Sequence, residues 1–170
     1  MLRHFTDDSV RPYGWNHMAE VVHAKRRTPS YIGDMPHTWV GSGYISAVRT
    51  LFVYEQEDQL VLAAGIDPAW LDEGVKILGL PTQYGTISYQ MREQDDDILF
   101  SANGHAAPPG GFKLALPPEL TDRSIEVNGN AAVVREGSVS FRKLPIQIRI
   151  FRPPPEAQAE AKTDAPPEEI

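Results

Sequence analysis

Hydrophobic positions change their period once along the 170-residue chain. Before residue 56 they recur at helical spacing. In GWNHMAEVVHAKRR, Trp15, Met18, Ala19 and Val22 fall on one helical face. Lys25, Arg26 and Arg27 follow, where cations suit a helix C-terminus, and Pro29 forbids continuation. In SGYISAVRTLFVYE, Tyr44, Ile45, Val48, Leu51 and Phe52 form a second apolar stripe, with Ser42 as its expected N-cap. Two amphipathic helices are therefore predicted, joined by the loop YIGDMPHTWVGSGY.

After Glu55 the pattern becomes short apolar runs, alternating or continuous, between turn signals. QLVLAAGI reads as a buried strand and PAWLDEG as a helical turn. VKILGLP, GTISYQMREQ, DILFSANG and GGFKLALP read as further strands. Asn128-Gly129 separates SIEV from NAAVV and is the strongest hairpin signal in the chain. Pro145 marks a break or an edge in SVSFRKLPIQIRIFR. The predicted class is α+β: two N-terminal helices over 1–56, an antiparallel β-sandwich over 57–152, and a tail over 153–170. Trp70, Leu80, Phe100, Phe112, Phe141 and Ile148 are the expected core.

The tail is rich in Pro, Ala and Glu and has no aromatic residue, so it is expected to be disordered. Composition narrows the function classes. The net charge of -7 argues against a nucleic-acid partner and weakens attraction to an anionic membrane. With no cysteine there is neither a disulfide frame nor a thiolate metal site. The N-terminus lacks the apolar core of a signal peptide, and no window has the length of a membrane span. A soluble chain, cytoplasmic by default, is the expectation.

Candidate chemistry concentrates in the N-terminal third. His17, Glu20 and His23 share one arc of the first predicted helix, a spacing that resembles half of a carboxylate-bridged metal site. Further ligands are lacking, so a polar helix stripe is the simpler reading and no metal is expected. Asp34 and His37 could form an Asp–imidazole hydrogen bond, or Asp34 could hold its own loop through backbone amides. Trp39 offers a flat face for a pyranose ring; packing into a core is the commoner use of a tryptophan. Asp95, Asp96 and Asp97 lack the alternating spacing and glycine of a calcium loop and read as a solvated hairpin end. The glycines of NGHAAPPGG precede no helix, so they make no phosphate cradle.

Taken together, a Trp- and Glu-bearing helix, IGDMPHTWVGSGYI, LFVYE, LVLAAGI and LPTQYG resemble the C-terminal end of bacterial six-hairpin glycosidases. The resemblance covers roughly residues 11–151, and GDMPHTW is its specific part. It implies that the helices complete an α/α barrel followed by a β-sandwich. It also implies that Asp34, His37 and Trp39, with Glu20, line the rim of a saccharide site. The departure is that two helices cannot make such a barrel, and glycoside hydrolysis generally needs two carboxylates across the scissile bond.

The leading expectation is thus a C-terminal fragment or accessory domain of a carbohydrate-active enzyme, without catalysis or a cofactor of its own. A stand-alone carbohydrate-binding or protein-interaction module is the alternative, and a small hydrolase using Asp34 and His37 is a third reading. A saccharide is the expected ligand. The open helical stripes imply self-association or pairing with a missing barrel domain.

Overall fold

The computed structural model describes residues 9–10, 17–18 and 38–151. They fall in two units, Met1–Phe52 and Val53–Ile170. In the first, β1 (Ser9–Val10) pairs antiparallel with β2 (His17–Met18). The first predicted helix is therefore not present at His17 and Met18, which are extended; its remainder lies outside the described residues. The second predicted helix is found as α1, Thr38–Phe52. It begins four residues earlier than Ser42, which is no cap: Ser42 Oγ donates back to the Trp39 carbonyl at 2.8 Å from inside the helix. Tyr44, Val48, Leu51 and Phe52 are half-buried, as the stripe predicts, whereas Ile45 is exposed.

α1 stops at Phe52, and VYE, which continues the helical pattern in the sequence, is instead in strand β3 (Val53–Gln56). β-branched and aromatic residues suit a strand, and Val53 is fully buried there. The remaining strands are β4 (Gln59–Leu62), β5 (Val75–Thr82), β6 (Gly85–Gln94), β7 (Asp97–Gly104), β8 (Gly111–Ala115), β9 (Ile125–Val127), β10 (Asn130–Ala132), β11 (Ser138–Phe141) and β12 (Ile146–Ile150). PAWLDEG supplies a 3-10 turn over Pro68–Trp70, capped by Asp67, whose carboxylate accepts from the Ala69 amide.

These strands make two sheets. One runs β10-β9-β12-β7-β6-β5 and is antiparallel throughout. The other runs β11-β8-β4-β3, with β4 and β8 parallel. A parallel pair cannot be closed by a hairpin. Between β4 and β8 the chain therefore crosses to the other sheet, lays down β5, β6 and β7, and returns. Turn chemistry drives the hairpins. Asp95-Asp96, Asn128-Gly129 and Glu136-Gly137 all have positive φ at both central residues, the requirement of a type I′ turn. On the edge strand β5 the register slips between Ile77 and Leu80. Leu78 and Gly79 (φ 59°) together oppose Ser88, whose hydroxyl accepts from the Gly79 amide at 2.8 Å. Such a bulge blunts an otherwise open edge.

Period-two burial holds in the six-stranded sheet, whereas β4 of the other is buried continuously over Leu60, Val61 and Leu62. Ile87, Tyr89 and Met91 alternate on β6, Ile98, Phe100 and Ala102 on β7, and Ile146, Ile148 and Ile150 on β12. In the other sheet Leu60, Leu62, Phe112, Leu114, Val139 and Phe141 are buried. Phe112 and Phe141 are direct cross-strand partners with rings stacked at 5.0 Å. The predicted core thus includes Phe100, Phe112, Phe141 and Ile148 but not Trp70, which is 39% exposed, nor Leu80, which is half-buried. Trp70 sits in the 3-10 turn, and Leu80 follows the bulge on an edge strand; neither lies in a central strand with a covered face.

Candidate functional site

Of the residues singled out in the N-terminal third, Glu20, His23, Asp34 and His37 lie outside the described residues. Trp39 is in the first turn of α1, not in a loop, and is 78% exposed. A packing corner would have buried it. Among the described residues no group of three or more His, Asp or Glu is placed to hold a metal ion, and no helix is long and apolar enough to cross a membrane. The aspartate triplet divides. Asp95 and Asp96 form the solvated turn, while Asp97 is buried beneath Arg149, a correction to its reading as hairpin-end solvation.

Among the described residues a concavity lies elsewhere, on the polar face of the six-stranded sheet, with a volume of 370 Å³. Its construction follows from register. Gln90 on β6 and Gln147 on β12 both pair with Ser101 on the intervening β7. One step along, Arg92 and Arg149 both pair with Leu99. Strands β6 and β12 are each antiparallel to β7 and so run in the same direction. Two Gln-x-Arg segments, Gln90-Met91-Arg92 and Gln147-Ile148-Arg149, therefore stand in register on either side of one strand.

The side chains of the middle strand are shorter than those flanking it. The result is a trough along β7 with Ser101 and Leu99 as floor and Gln and Arg side chains as walls. Two strand spacings separate the walls, about 10 Å between backbones. Glu126 on β9, the cross-strand partner of Arg149, extends the lining beyond β12.

The two arginines differ. Arg149 donates to Asp97 Oδ2 from both Nε, at 2.7 Å, and Nη2, at 2.5 Å. Its guanidinium also lies over the Phe151 ring, 4.8 Å from the centroid. It is a fixed cation with its own counter-ion. Arg92 donates from Nη2 to the neutral Gln94 Oε1 at 2.7 Å. The Gln147 wall is held by Asn128: the Asn128 amide donates to the Gln147 carbonyl at 2.8 Å, and the Gln147 amide donates to Asn128 Oδ1 at 2.9 Å. This pair ties the β9–β10 turn to the rim, where Gly129 joins the lining.

Gln90, Arg92, Leu99, Ser101, Glu126, Gln147 and Arg149 carry no motif that singles them out in the sequence, and Gly129 stands out there only as a turn residue. The signal that could have found them is the repeated Gln-x-Arg, with polar residues at both outward positions of two strands. The sequence does not show that the two copies flank one strand.

No protein-family model matches the chain, and no curated protein matches it. Among solved structures it is similar to Ara127N-Se, a GH127 β-L-arabinofuranosidase from Geobacillus stearothermophilus T6. The identity is 12% and the TM-score 0.35; the match covers 74% of this chain and 21% of that one. The chain thus spans about a fifth of that enzyme's length. A likeness of this degree carries no functional argument.

Proposed function

We propose that the chain is a saccharide-binding accessory domain of a carbohydrate-active enzyme, with the trough along β7 as its binding surface. The carrying observation is the pair of Gln-x-Arg segments in register across Ser101 and Leu99. A sugar hydroxyl both donates and accepts. A glutamine amide answers both roles with one side chain, and a guanidinium supplies several donors in a fixed plane. Ser101 adds a short hydroxyl on the floor, and Leu99 adds an apolar surface for sugar C–H groups. An open trough flanked by equivalent side chains suits a linear chain of sugar units better than a single small molecule.

Binding without hydrolysis is supported by the lining, in which Glu126 is the one carboxylate; hydrolysis generally uses a pair. The same reading takes the two sheets as the layers of a β-sandwich. The central strands of the larger sheet alternate buried apolar with outward polar residues, and the Tyr89 hydroxyl of that sheet meets the backbone of Ala63 at the end of β4 in the other. The exposed indole of Trp39 supports a second sugar-contacting element on the N-terminal unit, which would include Asp34, His37 and Glu20.

A glycan array probed with the purified chain tests the proposal. Binding to extended oligosaccharides is expected, and the double substitution Gln90→Ala with Gln147→Ala should weaken it sharply while the melting temperature holds. The expected loss is about tenfold or more per amide pair, since unpaired sugar hydroxyls cost on the order of 1–3 kcal/mol. Binding that survives the double substitution would place the site elsewhere.

A further inference from the structure

We infer that the trough selects carboxylate-bearing glycans, and that Arg92 is the residue that reads the acid group; the inference rests on the saccharide reading above. The deciding contrast is between the two arginines that flank Leu99. On Arg149, two donors already converge on Asp97 Oδ2, and the guanidinium face covers Phe151. A ligand carboxylate there would have to compete with a buried aspartate. Arg149 can offer its outer donors to neutral hydroxyls but has no net charge to spend.

Arg92 is the opposite case. Its one hydrogen bond among the described residues is to Gln94, which is neutral, and it has no ion pair there. It is exposed on the β6 wall, so its charge faces the trough without a counter-ion among the described residues. The stem of Arg92 is also placed: a Cβ on Gly74 would stand 3.1 Å from the Arg92 Cβ, so glycine at 74 leaves the room in which the stem sits. A bound acid group meets planar donors that are already partly oriented by Gln94. Charge-assisted Arg–carboxylate bonds are about twice as strong as neutral ones.

The far rim has the complementary sign. Glu126 is opposed to Arg149 in register, yet Arg149 bonds Asp97 instead, and Glu126 makes no ion pair among the described residues. Going from β6 to β9 the lining therefore reads cation, neutral floor, balanced pair, anion. A glycan unit with a carboxylate on one edge and hydroxyls on the other has one favoured orientation in this field. Its acid lies at Arg92 and its hydroxyls donate to Glu126. The chain's net charge of -7 opposes any anionic ligand at long range, but charges beyond about 8 Å are largely screened at physiological salt. Contact with Arg92 is within that distance.

The probe pair is a linear oligogalacturonate and its fully methyl-esterified form, which share one backbone and differ in charge. Each is titrated calorimetrically into the full chain, and the array above is read for acidic against neutral glycans. The acid form is expected to bind at least about tenfold tighter than the ester at low salt. The preference should shrink at about 0.5 M salt, where exposed charges are screened. Arg92→Gln should reduce the acid-to-ester ratio to about one, and Arg92→Lys, which keeps the charge but not the planar fork, should leave an intermediate ratio. Equal binding of the two forms, an array that reports neutral glycans alone, or a preference that survives Arg92→Gln would each overturn the inference while leaving the saccharide reading intact. A chain that binds no glycan of either kind overturns both.

Discussion

Arg149 and Asp97 are diagonal neighbours across the β12–β7 ladder. They form an ion pair on the polar face of the larger sheet, where Asp97 follows Leu99 and Ser101 at the period of two. Asp97 is 7% exposed and is the one buried charged residue among those described; the Arg149 side chain remains 54% exposed. The buried partner is the one that depends on the bond. Arg149→Ala should cost about 1–3 kcal/mol, because it takes the Arg149 guanidinium away from a desolvated carboxylate. Asp97→Asn, which keeps an acceptor, should cost less. Glu126→Gln should stay within about 0.5 kcal/mol, as it breaks no ion pair. Urea midpoints give the ranking, and equal losses for all three would show that the pair is not the source.

Tyr89 gives a pH prediction. Burial in the apolar layer beside Phe100 pushes its phenol above the usual tyrosine range, and the hydrogen bond from the Ala63 backbone only partly offsets this. The core accepts the protonated, neutral form. At neutral pH both folded and unfolded chains hold that proton, so the stabilisation is complete. Above about pH 10 the unfolded chain loses the proton and the folded chain does not, so stability falls as pH rises. Tyr89→Phe should flatten that alkaline decline. At neutral pH it should cost about 1 kcal/mol for the lost hydrogen bond. Denaturation at a series of alkaline pH values checks both slopes, and a parallel decline in the variant would count against Tyr89.

Two glycines should separate conformational strain from steric collision. Gly129 in the β9–β10 turn has φ 78° and open space around a built Cβ, so Gly129→Ala should cost only the strain of a left-handed residue, about 1 kcal/mol. Gly104 at the end of β7 has φ 131°, and its Cβ would meet the Thr86 carbonyl oxygen and the Ile87 Cα of the neighbouring strand. Backbone cannot swing aside, so Gly104→Ala should cost several kcal/mol, at least about 3. Thermal melts of the two variants should differ by many degrees; similar melts would mean that the β6–β7 corner yields.

The strands after residue 56 were legible because each depends on local facts. Period-two burial fixes which side chains of β6, β7 and β12 are covered, and Asn128-Gly129 fixes a hairpin whatever surrounds it. Where tertiary context decides, the sequence was silent or misleading. Val53–Gln56 continues a helical stripe but is pulled into a strand beside β4. Asp97 reads like its two neighbours, yet Arg149 from 52 residues away draws it under cover. Trp39 carries an indole that composition would bury, and the fold leaves it exposed. The trough is the clearest case. Gln90-Met91-Arg92 and Gln147-Ile148-Arg149 are visible in the chain as two unrelated polar-apolar-polar triplets. Strand order alone brings them to either side of Ser101 and Leu99, because pairing partners are chosen by long-range burial, which no local pattern encodes.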